Sequence, residues 1–201
     1  MTASGTLEAA AAAARRGALI VFPTDTVYGI GTRPDDPAAT ARLFVAKRRP
    51  RDLTLPVLVA TADDARRVAV FDDRAARVVG ACWPGALTLV LARTDLSRGW
   101  DLGGDEATIG VRVPDHPVAR SLLGRTGPLA ATSANRSGET PGRDHDALVA
   151  MFGEAVAVYL CVDGPVASAA STVMDLTGPE PKVLRRGDVD PEGVIHLTVA
   201  P

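Results

Sequence analysis

The stretch with the clearest chemical potential is Lys47-Arg48-Arg49-Pro50-Arg51, four cations in five positions at the end of a helical period. Pro50 stops a helix there, so the basic groups are carried off its end. A compact ammonium suits a phosphate oxygen, and a guanidinium offers a planar fork to the same kind of ligand. Cations at a helix C-terminus also complement the helix dipole and solvate a surface. Both readings stand on local grounds. Composition adds weight to Lys47: of the 22 basic residues 20 are Arg, and Lys47 and Lys182 are the two lysines.

Two hydroxyl-rich segments follow apolar runs, where α/β proteins place ligand loops. Pro23 to Gly29 offers Thr24, Thr26 and Tyr28 to a small polar ligand, although Asp and Thr equally serve turn chemistry. Thr132 to Gly138 offers Ser133 and Asn135 to phosphate or ribose oxygens, or to an Asx or Ser turn of its own. Arg112 sits inside Thr108 to Val113, an apolar strand pattern. A cation there is costly unless paired, so it meets an acid of this chain or an anionic ligand. Ser171-Thr172 and Arg185-Arg186-Gly187 are weaker instances of the same kinds of site.

Other chemistries are excluded by pattern. There is no G-x-x-x-x-G-K-[ST], and Gly29-Ile-Gly31 lacks the third glycine of a dinucleotide fingerprint. No G-x-S-x-G surrounds Ser133, and Asp115-His116 reads as a turn after a strand. Three histidines (His116, His145, His196) and two cysteines (Cys82, Cys161) lie too far apart for zinc-ligand spacing. The cysteines read as buried thiols of a reducing compartment. Aromatic residues make up 4% of the chain and the pI is about 5.9, which argues against a dedicated nucleic-acid surface.

The elements that would carry these residues are short. Helices are predicted over 7–16, 37–49, 62–69, 72–82, 117–123 and 146–152. Strands are predicted over 18–22, 55–60, 86–92, 108–113, 129–132, 156–162, 171–176 and 182–184, with 23–31 as a loop and 93–107 as a polar, Gly-rich surface excursion. Strands alternate with helices in places and cluster in others. The fold class is therefore α/β (or α+β): a twisted mixed sheet flanked by helices, with a concave ligand cleft.

The 201 residues form one expected domain, 1–201 with a core at about 7–189. A hydrophobic content of 46% with a net charge of −2 is that of a folded globular protein. No stretch is long and apolar enough to span a membrane, and the basic pair Arg15-Arg16 follows the Ala9–Ala14 run instead of preceding it, the wrong order for a signal peptide. The cytoplasm is the expected location.

In this order, PTDTVYGIG (23–31), KRRP (47–50), WPGALTLVL (83–91), TIGVRVPDHPVA (108–119), TSANRSG (132–138), STVMDLTG (171–178) and RRG (185–187) resemble the YrdC/Sua5 family of L-threonylcarbamoyladenylate synthases, in its short single-domain form. The resemblance implies a reaction of L-threonine, bicarbonate or CO2, and ATP that gives threonylcarbamoyl-AMP and pyrophosphate, on the route to N6-threonylcarbamoyladenosine (t6A) in tRNA. It places the K-x-R signature on Lys47 and Arg49 and the S-x-N signature on Ser133 and Asn135, all in the ATP site. Lys47 and Arg49 are the implied catalytic pair. Thr108 and Arg185 match further ATP-site positions, and Arg51 reaches toward the phosphates. Thr24, Arg112, Thr132 and Ser171 match positions that hold threonine, with Arg112 on its carboxylate. Mg2+ is implied with ATP, held by phosphates and water and by no metal-ligating residue of the chain. The implied partners are the downstream tRNA threonylcarbamoyl transferase proteins, with tRNA contact open and no membrane. Thr54-Leu55 stands where the family commonly has Pro-Leu, so a local change is expected near Arg51. A paralogue that binds nucleotide or RNA without threonine-dependent synthesis would share the same signatures.

Overall fold

Helix ends in this chain are marked by local hydrogen bonds. Thr6 caps α1 (Leu7–Arg15) by accepting from Ala9 N, and Asp36 caps α2 (Pro37–Lys47) by accepting from the amides of Ala38 and Ala39. Thr61 and Asp72 do the same for α3 (Ala62–Val68) and α4 (Asp73–Cys82), as does Asp144 for α6 (His145–Phe152). Helix α5 (Pro117–Thr126) starts on a proline at its first turn. A computed structural model describes residues 6–162 and 169–199, and it joins these helices to a single sheet.

The strands are β1 (Leu19–Phe22), β2 (Gly29–Thr32), β3 (Val57–Leu58), β4 (Leu87–Ala92), β5 (Thr108–Arg112), β6 (Leu129–Ser133), β7 (Val156–Tyr159), β8 (Thr172–Asp175) and β9 (Lys182–Arg185). Their order is β7-β1-β2-β6-β3-β5-β4-β8-β9. The pairs β1/β7, β3/β5 and β4/β8 are parallel and the rest antiparallel, so the sheet is mixed, as expected.

Three differences from the sequence reading have physical causes. Residues 29–32 form a strand where a loop was expected. Its sequence, GIGT, has little β propensity, but the sheet leaves no room for a side chain at Gly31: a Cβ there would lie 2.8 Å from Ala130 O. A seventh helix, α7 (Pro191–Thr198), extends the fold beyond the expected limit near 189. Asp190 caps it, and the Arg77 guanidinium of α4 donates to the carbonyls of Leu197 and Thr198. Predicted strand 55–60 also shortens to β3, because Leu55 N is taken by Leu102 O and Pro56 has no N–H to give. Cys82 and Cys161 are half-buried, not fully buried, and burial raises both thiol pKa values.

Alternate residues of each strand serve different faces. Leu19 and Val21, Leu87 and Leu89, Ile109 and Val111, and Met174 pack with α2, α3, α4, α6 and α7 in the larger core. Ile20 and Phe22, Leu58, Leu129 and Ala131 pack beneath α1 and α5 in a smaller one. Those two helices cover only part of their face. Beyond them the residues of the second parity on β5, β4 and β8, Thr108, Gly110, Arg112, Thr88, Val90, Val173 and Asp175, form the floor of an open cleft.

Candidate active site

The cleft encloses about 760 Å3. That is ample for a nucleotide together with an amino acid. Thr24, Arg49, Thr108, Arg112, Thr132, Ser133, Ser171 and Arg185, eight of the residues singled out from the sequence, line it. They come from six separate parts of the chain, and the strand register brings them together.

Arg49 enters the cleft because of the two residues before it. Lys47 ends α2, and Arg48 turns the chain in the left-handed region at φ 50°. Pro50 restricts Arg49 to extended backbone. The Arg49 guanidinium then donates to the carbonyls of Leu53 (Nε, 3.0 Å) and Thr54 (Nη2, 3.0 Å). Across the cleft Arg185 donates to Ser171 through Nε to the carbonyl and Nη2 to the hydroxyl, both at 2.9 Å. Ser171 Oγ in turn lies 3.0 Å from Thr88 Oγ1. Burial lowers the Arg49 pKa, with Arg185 adding to the effect, and burial lowers that of Arg185. Neither guanidinium has a carboxylate within ion-pair distance among the described residues. Two cations that repel each other across a shared cleft make a site for a multiply charged anion.

Arg112 answers the question of the buried cation. Its Nη2 donates to Asp25 Oδ1 at 2.5 Å, Nη1 to Thr26 Oγ1 at 3.0 Å and Nε to Gly85 O at 2.9 Å. The acid is therefore one of this chain, Asp25, which the sequence reading passed over. Burial lowers the Arg112 pKa and Asp25 opposes the shift. Three of its five N–H groups are committed, which leaves two for a ligand in the cleft.

Thr24 lines the cleft but spends its hydroxyl on its own loop. Oγ1 donates to Val27 O at 2.6 Å and accepts from the amides of Thr26 and Val27. Thr108 Oγ1 donates to Asp105 at 3.2 Å. The described lining also includes Thr26, which the sequence offered beside Thr24, and Thr88, Asp105 and Asp175, which drew no attention in the sequence because each sits among ordinary turn or strand residues.

Three residues are not brought to the cleft. Arg51 is half-exposed, pairs with Asp101 at 2.5 Å and lies over the Phe44 ring. The cause is the 93–107 excursion, which docks on residues 51–55 through Gly104 N to Arg51 O (2.8 Å) and Leu55 N to Leu102 O (2.8 Å). Asn135 uses its amide on the carbonyls of Arg136 and Glu139, both at 2.8 Å. Lys47 was expected at a helix end with an ammonium free for phosphate, and it is instead 1% exposed. Its Nζ donates to Ser133 O (2.5 Å) and Asn135 O (2.6 Å), with Asn135 Oδ1 at 3.4 Å. Burial and the neighbouring Arg49 push its pKa down to about 7.

No group of three or more metal-ligating side chains occurs among the described residues, and no helix among them is long and apolar enough to cross a membrane.

Comparison with known proteins gives this arrangement a family. A Mycobacterium tuberculosis protein provisionally named threonylcarbamoyl-AMP synthase is 43% identical over 189 residues, 94% of this chain and 87% of that one. The Chromohalobacter salexigens threonylcarbamoyl-AMP synthase is 38% identical over 88% of this chain and 95% of its own. Among solved structures, Pyrococcus abyssi Sua5 complexed with L-threonine superposes with a TM-score of 0.84 at 32% identity, covering 95% of this chain. The chain spans 56% of that protein's length. The Sua5/YciO/YrdC family model, described as telomere recombination, matches residues 12–187, and the chain belongs to that family.

Proposed function

We propose that this chain is a threonylcarbamoyl-AMP synthase, a nucleotidyltransferase. It joins L-threonine, bicarbonate or CO2, and ATP into threonylcarbamoyl-AMP and pyrophosphate, for t6A formation in tRNA. The observation that carries this reading is one cleft holding two guanidinium groups that have no carboxylate partner among the described residues, Arg49 and Arg185, beside a third, Arg112, with two N–H groups uncommitted among those residues. A triphosphate and an amino-acid carboxylate are the anions that fit such a set.

In the reaction, the threonine ammonium gives one proton to solvent, and the free amine forms a C–N bond to CO2 (supplied as such or by dehydration of bicarbonate, with water leaving); a second proton passes from nitrogen to solvent, which yields a carbamate. A carbamate oxygen then attacks the α-phosphorus of ATP. The bond from that phosphorus to the α,β-bridging oxygen breaks, and pyrophosphate leaves with the electron pair. No protein nucleophile enters this scheme. The work of the chain is to align two anions and to balance charge as it develops on the phosphates.

Arg49 and Arg185, both in the cleft lining, meet the phosphate charge. Both guanidiniums are already oriented by carbonyl or hydroxyl acceptors, so little side-chain freedom is lost when ligand binds. Arg112 holds the threonine carboxylate through its spare N–H groups, with Thr132 and Ser171 on the adjoining walls. ATP enters as its Mg2+ complex, with the ion ligated by phosphate oxygens and water. The product, a mixed anhydride, is labile to water and suits direct delivery to a downstream tRNA threonylcarbamoyl transferase.

The test is pyrophosphate release from ATP with and without threonine and bicarbonate. Release that requires both supports the synthase. Release indifferent to threonine removes it.

A further inference from the structure

The Lys47 ammonium is a buried cation. No carboxylate lies within ion-pair distance of it among the described residues. An ammonium has three N–H donors, and the carbonyls of Ser133 and Asn135 together with Asn135 Oδ1 offer three acceptors, which saturates it. Hydrogen bonds to the charged form are what make such a burial tolerable.

The same turn is held at several other points. The Lys47 carbonyl accepts from Ser137 N at 2.9 Å, so both ends of the residue grip residues 133–137. Ala134 N donates to Tyr28 O at 2.7 Å, and Gly142 N donates to Ala134 O at 3.1 Å. Asn135 Nδ2 closes the turn on Arg136 O and Glu139 O. Lys47 is therefore the point where the end of α2, the Pro23–Gly29 segment and the exit of β6 meet. It stands behind a wall whose cleft side is Thr132 and Ser133. The choice of lysine in an arginine-rich chain follows: a compact ammonium can serve three converging oxygens, whereas a guanidinium sends its donors out in one plane.

We propose that Lys47 is a positioning residue, which fixes the Ser133–Asn135 turn against the end of α2 and acts on the substrates through that turn, not by touching phosphate. The importance of the turn for turnover rests on the synthase reading above; the brace itself does not.

The test compares amide hydrogen exchange in ligand-free wild-type protein and Lys47→Met, alongside pyrophosphate release. Amides 134–137 are expected to exchange about tenfold faster or more in the variant, while those of β4 and β5 keep their rates. Pyrophosphate release is expected to fall about a hundredfold or more. Unchanged protection of 134–137 overturns the proposal, and so does a loosened turn with unimpaired release. If wild-type protein releases no pyrophosphate with threonine, the synthase reading fails, and the exchange comparison alone decides the brace. Should Lys47→Met not fold, the wild type can be read directly, because it has two lysines. In 15N spectra of the side-chain ammonium groups, taken well below pH 7 so that Lys47 is charged with and without ligand, Lys47 should give a slowly exchanging signal without ligand that stays in place when AMP is added. A signal averaged with solvent, or one that shows coupling to phosphorus with AMP or ATP, contradicts the proposal.

Discussion

Arg112 in β5 and Asp25 in the loop after β1 form a buried ion pair, Nη2 to Oδ1 at 2.5 Å, across 87 residues of sequence. The side chains are 6% and 15% exposed. One guanidinium thereby serves the fold on its inner side and the cleft on its outer side. Arg112→Met should raise the threonine KM far more than the ATP KM. An equal effect on both would contradict the carboxylate role.

The same pair sets a stability test. Removing one partner of a buried pair leaves the other uncompensated, at a cost of about 3–5 kcal/mol. Asp25→Asn and Arg112→Met should each lower the unfolding free energy by an amount of that order. The double variant should be less destabilised than the sum of the two, as denaturant titration would show. Additive losses would mean that the two side chains do not depend on each other.

In the proposed reaction Arg49 and Arg185 are the cleft cations left for phosphate. A charged hydrogen bond contributes about 1.5–3 kcal/mol, so Arg49→Met should weaken ATP binding by roughly 10- to 150-fold. Calorimetry should also show its effect shrinking from ATP to AMP as phosphates are removed, with adenosine unaffected. An equal loss for all three ligands would place Arg49 on the nucleoside instead.

The buried ammonium makes activity and stability diverge with pH. The Lys47 pKa lies near 7, below its ordinary value of 10.5, because burial and Arg49 disfavour the charged form. The ammonium is present below about 7 and is lost above it, so kcat/KM should decline through that range. Between 7 and 10.5 the unfolded chain holds this proton and the folded chain does not, so this group's contribution to stability increases with pH. Activity should therefore fall while thermal stability does not fall with it. Bound nucleotide brings negative charge and raises the pKa, so the decline in kcat should lie at higher pH than that in kcat/KM. Parallel loss of activity and stability above pH 7 would contradict this assignment.

Gly104 gives a local test of the cleft rim. It adopts φ +59°, and a Cβ there would lie 2.0 Å from Thr54 Oγ1, the residue that stands in place of the family's usual proline. Gly104→Ala should undock the excursion from residues 51–55, break the Arg51–Asp101 pair and release the Arg49 acceptor at Thr54. ATP binding should weaken by about tenfold, since Arg49 then loses its fixed orientation. Unchanged ATP affinity would show that the excursion does not support the site. The excursion is a fixed wall as it stands: the buried Arg93 guanidinium donates to the carbonyls of Ser97, Trp100, Asp105 and Thr108.

Much of this was legible in the residues. The apolar runs at 19–22, 87–92 and 129–133 formed strands because they bury side chains on both faces. The alternation Thr108, Gly110, Arg112 within β5 marks the residues that turn toward the cleft. Strand β2 was hidden because Gly31 answers to the closeness of β6 and Gly29 to the Phe22 ring of β1, constraints invisible without the sheet. Helix α7 was hidden by its brevity, although Asp190 and Pro191 carry its start signal. Candidate site residues could be named from strand-end loops, but their partners could not. Lys47 with Ser133, Arg112 with Asp25, and Arg185 with Ser171 are side-chain choices made across the fold. This is why Lys47 reads as a phosphate ligand in sequence, whereas the folded chain turns its ammonium onto the carbonyls of Ser133 and Asn135.

The most direct measurement is pyrophosphate release from ATP by wild-type protein, across a panel of amino acids, with bicarbonate supplied or withheld. Release that requires both L-threonine and bicarbonate is the predicted result. Release that proceeds equally without threonine, or no release under any of these conditions, would contradict the proposed synthase.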